Sequence, residues 1–375
     1  MSNFQFKNKT ILIISPEKWG ENYLSKHHYA IELSKENEVY FLNSQTNNTL
    51  NKKVITEKIA KNITVIHYKK TVKGLLKLPS AFIDLQFKSI IKEILNTINQ
   101  PIDILWDFDQ YRFPNSKAFK AKRTIFHPVD IMKQIPAKIR SRKSNLSDLT
   151  LYLSNEIIKD LKTCKPCHFI NHGISEDFFR GTNSTYPFIS KEKINVGYVG
   201  NIQSKFLDWK TLKTIVKNNP TVNFIFIGPY QNSNLGGDNL FKDIDFIKLQ
   251  YNCTLLGSKP ANELTEILPS FDAFLICYDT DNYRKEVSNS HKLLEYCSSG
   301  KVIISNYIST YANKQGVLEM VDNNIDLPLK FKNVISNLDF YNTSKKSEYR
   351  INFAKKNTYK NHIEKIAQLI NSLND

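Results

Sequence analysis

Short runs rich in apolar residues recur along most of this chain, separated by segments with helical spacing of apolar residues. TILIIS at 10–15 predicts a strand buried in a parallel sheet, and IDILW at 102–106, TIF at 124–126, LTLYLS at 149–154, INVGYVG at 194–200, VNFIFIG at 222–228, CTLLG at 253–257 and FDAFLICY at 271–278 predict strands. Further strands are predicted at 38–42, 54–57 and 63–67. Helices are predicted at 23–35, on Tyr23, Leu24, Ala30 and Ile31, and at 81–98, 208–218 and 261–268. Strand alternating with helix predicts an α/β chain built on doubly wound parallel sheets. At 177–191, DFFRGTNSTYPFISK, the alternation breaks, and a linker is predicted there. A chain of 375 residues suits two cores better than one. The domains are therefore expected at 1–180 and 190–349. Residues 229–244 read as a long polar loop. From 346 onward Phe353, Tyr359, Ile363, Ile366 and Ile370 predict one amphipathic closing helix.

The stretch richest in chemistry is SNSHKLLEYCSSGKVIISN, Ser288 to Asn306. Ser288, Asn289 and Ser290 are residues that cap helices by accepting first-turn amide hydrogen bonds. Leu293, Leu294 and Cys297 mark a buried helical stripe, Gly300 supplies a left-handed stop, and Val302–Ile304 form a buried strand. Glu295 is a carboxylate among apolar neighbours. Burying it without partners is costly, so either a basic neighbour pairs it or a ligand's hydroxyls do.

HKLLEYCSSGKVIIS resembles the donor-binding helix of GT-B fold glycosyltransferases, the retaining, nucleotide-sugar-dependent group 1 family, commonly K-L-x-E-Y-x-A-x-G-K-P-V-I. The resemblance implies two Rossmann-like domains facing across a cleft, with a C-terminal helix, about 350–375, crossing back to the first. It gives Glu295 the donor ribose and the helix N-terminus, with Ser288, Asn289 and Ser290, the diphosphate, which suits exposed amides and a positive dipole end. In many members a second Glu lies eight residues before Glu295; here Val287 stands there, beside Glu286. After GYVG the family usually has Arg and then Lys. Here Asn201 follows Gly200, and Lys205 is near the Lys position, with Arg284, Lys285 or Lys292 as substitutes for the missing cation. Such cations and amides stabilise a leaving diphosphate electrostatically, without metal. GSKP resembles the loop packing on the donor's base, through Gly257 and Ser258. His127, ending TIFHPVD, resembles a first-domain His that contacts the donor sugar, with Asp130 and Gly20 on the acceptor side. The expected catalytic set is His127, Lys205 and Arg284. No cofactor is implied; the substrate would be a nucleotide-sugar, UDP- or GDP-linked, and the acceptor a glycan or lipid-linked sugar of a bacterial surface polysaccharide.

Other readings are narrower. No G-x-G-x-x-G follows the first strand, which disfavours a nicotinamide enzyme. Cys164, Cys167 and His168 spell the haem-attachment pattern C-x-x-C-H, but Cys167 and His168 open a predicted strand, CHFINH, so structural thiols are expected. His172 and Gly173 read as a hinge turn. Adjacent His27 and His28 face different ways on a helix, His168 and His172 lie about 13 Å apart along a strand, and no metal site is expected. The net charge of +16 lies mostly in residues 1–180, with 29 Lys and Arg against 17 Asp and Glu; residues 51–80 hold eight Lys and one Glu. Without interleaved aromatics this does not suit nucleic acid. With Leu75, Leu76 and Leu78 it suits peripheral contact with an anionic membrane. No signal peptide or membrane-length apolar run is seen, so a cytoplasmic protein is expected. The alternatives are a degenerate GT-B module that binds without turnover, and a GT-B sugar epimerase.

Overall fold

The computed structural model describes residues 4–20, 23–45, 52–69, 80–132, 134–159, 161, 163, 165–181, 184–230 and 238–373. Cys164, Lys70, Lys73, Lys77, Leu75, Leu76 and Leu78 lie outside them. The chain divides into two compact units, Met1–Asn171 with Tyr359–Asp375, and His172–Thr358.

The first unit contains β1 (Thr10–Ile14), α1 (Ser25–Leu33), β2 (Glu38–Leu42), β3 (Val54–Ala60), β4 (Ile63–Tyr68), α2 (Ser80–Ile98), β5 (Ile104–Asp107), β6 (Arg123–Phe126), α3 (Ala137–Leu146), β7 (Leu149–Tyr152), α4 (Asn155–Lys159) and β8 (Cys167–Phe169). Its sheet runs β3-β4-β2-β1-β5-β6-β7-β8. In β1 the pleat sends Ile11 and Ile13 into one core and Leu12 and Ile14 into the other. That is why its apolar run is continuous rather than alternating. The parallel pattern fails at one edge, where β3 pairs antiparallel with β4 as a hairpin.

At the carboxyl end of β5 lies a buried ionic cluster. Asp107 pairs with Lys143 at 2.7 Å, and Asp109 Oδ2 accepts from Arg112 Nε at 2.6 Å. Arg112 also donates to the Asn43 carbonyl at 2.9 Å, to the Tyr68 hydroxyl and to the Ser15 carbonyl. Burial pushes the Asp107 carboxyl up to about 6 against the pull of Lys143. Asp109 sits below its ordinary value: burial works upward, and Arg112 and Lys143 outweigh it.

The second unit contains β9 (Ile194–Val199), α5 (Trp209–Asn218), β10 (Val222–Ile227), α6 (Asp238–Lys248), β11 (Cys253–Leu255), α7 (Ala261–Ile267), β12 (Ala273–Ile276), α8 (Thr280–Tyr283), α9 (Lys292–Ser298), β13 (Val302–Ser305), β14 (Glu319–Met320), α10 (Leu327–Ile335), α11 (Leu338–Tyr341) and α12 (Ser344–Lys355). Its sheet is parallel throughout, in the order β11-β10-β9-β12-β13-β14. In β10, Phe224 and Phe226 face one core and Ile225 and Ile227 the other. The chain then returns to the first unit as α13 (Tyr359–Ser372). No helix among the described residues is long and apolar enough to cross a membrane.

Several expectations are corrected. The units divide at Asn171/His172 and Thr358/Tyr359, not at 180–190 and 350. Ile174 and Phe178, before and inside the predicted linker, are core residues of the second unit. The closing helix is two helices with a break at residues 356–358; Asn357 and Thr358 there bridge to Ile174. The predicted polar loop 229–244 includes the start of α6. Tyr23 and Leu24 are exposed and precede α1. Strand CHFINH shortens to β8, and burial raises the Cys167 thiol.

His362 on α13 is 2% exposed and its Nδ1 lies 3.0 Å from the Tyr29 hydroxyl. Burial, with the charge of Lys365 second, pushes the imidazole down to about 3. The folded pKa is depressed, so its contribution is present above the unfolded value of 6.5 and is lost as pH falls toward 3. The slope should approach ~1.4 kcal/mol per pH unit. Denaturant midpoints of wild type should fall more steeply through this window than those of His362→Gln; equal slopes would show that the site does not govern acid stability.

Candidate functional site

In the second sheet the order reverses between β9 and β12, and ligands of doubly wound sheets bind outside the carboxyl ends at such a switch point. The two strands pair only through Ala273 with Val196 and Phe274 with Gly197. Beyond that they leave backbone groups to be satisfied. The Tyr296 hydroxyl accepts from the Val199 N–H at 2.7 Å and donates to the Val199 carbonyl at 3.2 Å. Its ring stacks on Phe274 at 4.1 Å. Tyr296 thereby fastens α9 to the end of β9. At the far end of α9, Gly300 has φ +75, and its carbonyl accepts from the buried Arg350 Nε at 2.9 Å.

Two glycines keep the strand ends open. Gly200 ends β9 with φ +148, and a Cβ there would run into the Lys292 ammonium. Gly228 ends β10 with φ +146, and a Cβ there would run into the Gly200 carbonyl. Both need the conformation that glycine adopts without strain. Gly200 N–H donates to Ile227 and Gly228 N–H to Gly257, each at 2.8 Å.

Lys292 and Glu295, one turn apart on α9, are both half-buried. Lys292 Nζ donates to the Tyr198 hydroxyl at 3.2 Å and lies 4.8 Å from that ring and 5.7 Å from the Tyr278 ring. Burial alone would lower this ammonium, but the tyrosine oxygens around it outweigh burial and hold it above its ordinary value. Burial pushes the Glu295 carboxyl up to about 7, with Lys292 pulling the other way. The site thus presents a fixed cation and a carboxyl poised to ionise near neutrality.

The other expected residues fall around this pair. Lys205, exposed, lies 5.4 Å from the Phe206 ring and 5.5 Å from the Tyr283 ring. Phe206 and Tyr283 meet at 5.1 Å; the exposed Arg284, next in sequence to Tyr283, covers Tyr307 with its guanidinium at 3.9 Å. Lys285 is exposed. Ser258 is exposed beside Gly257. The Asn201 Oδ1 accepts from the Gln203 N–H at 2.9 Å and shapes its own turn. Val287 is 4% exposed and packs in the core. The capping role of Ser288, Asn289 and Ser290 is corrected: α9 starts at Lys292, follows His291 and has no side-chain cap. Ser290 Oγ instead meets the Tyr278 hydroxyl at 3.0 Å.

Sequence reasoning missed the Tyr198, Tyr278 and Tyr296 surround of Lys292. It missed also the buried network behind the site, in which Asn306 accepts from the Tyr278 N–H at 2.9 Å and Asn324 donates to the Tyr278 carbonyl and to Asp208, each at 2.8 Å. Asp208 caps α5 by accepting from the Thr211 N–H. His172 and His291 meet edge to face at 6.0 Å, a pairing no local spacing signals.

In the first unit His127 is 1% exposed. Its Nδ1 faces Trp106 Nε1 at 3.4 Å, and its ring lies 4.9 Å from Phe108. Asp130 and Gly20 are exposed, and Asp130 borders a pocket of about 370 Å³ with Glu17 and Gln110.

No protein-family model matches the sequence, and no curated protein matches it. Solved structures do match in fold. A glycosyltransferase from Rickettsia africae superposes with a TM-score of 0.71 at 15% identity, covering 98% of each chain. Sucrose-phosphate synthase from Thermosynechococcus elongatus gives 0.69 at 11%, covering 98% of this chain and 99% of its own. Anabaena HepE in complex with UDP and glucose gives 0.66 at 15%, covering 97% and 100%. The chain therefore has the GT-B fold, two Rossmann-like α/β units with parallel-dominated sheets, as the resemblance implied.

Proposed function

We infer that the protein is a glycosyltransferase that takes a nucleotide-sugar donor on its second unit, with retention and without a metal. The observation that carries the reading is the Lys292–Glu295 pair on α9 at the switch point of the second sheet, with the ammonium held over Gly200. Glu295 would accept from the donor's ribose hydroxyls. Lys292, with Lys205, Arg284 and Lys285, would neutralise the leaving diphosphate. Ser288, Asn289, Ser290, Asn201, Gly257 and Ser258 would complete the donor surface. Asp130 and Gly20, exposed near the carboxyl end of the first sheet, are proposed to face sugar; His127, 1% exposed, would have to be uncovered to reach it. The neighbours' UDP complexes support a uridine donor. A glycan or lipid-linked acceptor of a bacterial surface polysaccharide, on the cytoplasmic side of an anionic membrane, fits the basic first half of the sequence.

Ionised, Glu295 accepts hydroxyl donors on both oxygens; protonated, it turns one oxygen into a donor. With its carboxyl near 7 in the free protein, nucleotide affinity should rise with pH from 6 to 8, and binding should release a proton. Calorimetry with UDP and GDP in buffers of different ionisation enthalpy reads both. Glu295→Ala should raise Kd at least about tenfold, roughly 1.4 kcal/mol, and abolish the proton release. Unchanged affinity in a folded variant would remove the ribose role.

A further inference from the structure

Along α2 of the first unit lies a groove whose lining includes none of the residues that the transfer reading uses. Its volume is about 1120 Å³, just above the ~300–1,000 Å³ range of small-molecule sites. Phe87, Ile91, Leu95 and Phe113 form its floor. Phe87 and Phe113 belong to the packed core and their rings meet at 4.5 Å, tilted by 46°, so the floor is held by the core. Leu85 on its wall is 62% exposed, and Phe82, one turn earlier on α2, is 58% exposed. Two large apolar side chains so exposed on one turn want a partner.

The charged groups at the groove decide which partner. Lys88, Lys92 and Lys120 line it and are exposed. Lys53 joins them through a 3.4 Å bond to Ser89 on the same wall. Its carboxylate, Asp84, is taken by Arg142, with Nη1 at 3.1 Å and Nη2 at 2.5 Å from its two oxygens. What remains is an apolar trough with a positive rim, a surface complementary to an amphiphile with a hydrocarbon chain and an anionic head. Nucleic acid would leave Phe82 and Leu85 uncovered; an acidic peptide would leave the floor unfilled.

We propose that this groove along α2 is where the protein docks on anionic phospholipid, an acyl chain lying against Phe87, Ile91 and Leu95 and the headgroup phosphate held by Lys88, Lys92 and Lys120. This deepens the membrane contact in the proposed function and rests on it, but stands without sugar transfer. The experiment is sedimentation of the full chain with vesicles of phosphatidylglycerol in phosphatidylcholine, against phosphatidylcholine alone, over a salt series. Wild type should bind the anionic vesicles, lose them as salt rises and ignore the neutral ones. The triple variant Lys88→Gln, Lys92→Gln, Lys120→Gln should bind roughly a hundredfold more weakly, at about fivefold for each near-surface lysine lost. Leu85→Gln, which changes no charge, should also weaken binding; all four side chains are exposed, so folding is retained. If these variants bind like wild type while neutralising Lys70, Lys73 and Lys77 removes binding, the membrane contact stands and the groove proposal falls. If wild type ignores anionic vesicles at low salt, both fall.

Discussion

Lys292→Met is expected to slow sugar transfer about 10²–10³-fold, the usual cost of losing one preorganised charge beside a developing anion. Methionine keeps the apolar stem against Tyr198 and over Gly200, and Tyr198 keeps its 3.4 Å bond to the Asn201 carbonyl. Thermal stability should therefore change little. Lys205→Met and Arg284→Ala, at exposed cations, are expected to cost less because solvent screens them. Steady-state rates with sugar donors of the nucleotide that calorimetry selects, beside melting curves, check this. A Lys292→Met enzyme turning over at the wild-type rate would place the leaving-group charge elsewhere.

Lys143→Met should destabilise the first unit by about 3–5 kcal/mol, the cost of removing one partner from a buried ion pair. Lys143 is fully buried, pairs with Asp107 and donates to the carbonyls of Asp109 and Arg112. Its loss strands a carboxylate and two carbonyls at the end of β5. Asp107→Asn in the same chain should recover part of the loss, because the uncompensated charge goes with it. Denaturant unfolding checks both. A loss below about 1 kcal/mol would mean that water or a rearranged Arg112 compensates.

Where packing is decided by periodicity, the chain was legible. Both sheets stand on continuous apolar runs such as TILII and VNFIFI, because a strand covered on two faces has no solvent side to encode. The α9–β13 unit was legible for the same reason, down to Gly300. Edges were less so. The hairpin β3–β4 reads as strand, but its antiparallel sense depends on the partner. The helix α6 hid in polar residues whose apolar face, Ile244 and Ile247, is short. The unit boundary was misplaced because Ile174 and Phe178 are buried by elements far off in sequence: Ile174 pairs with Thr358, and the turn that holds Phe178 packs on α7 and α9.

Of the candidate site, the sequence by itself determined the carriers of charge, Glu295 and Lys292, since both sit in one short motif. Only the tertiary structure decided their state. Tyr198 and Tyr278 reach Lys292 from the ends of β9 and β12, and Tyr296 closes the gap between those strands. Burial then moves Glu295 toward neutrality. Likewise the excess positive charge of the first half was countable from the sequence, while its meeting with exposed Phe82 and Leu85 along α2 was not. Charge is a property of residues; desolvation and grooves come from what the fold brings against them.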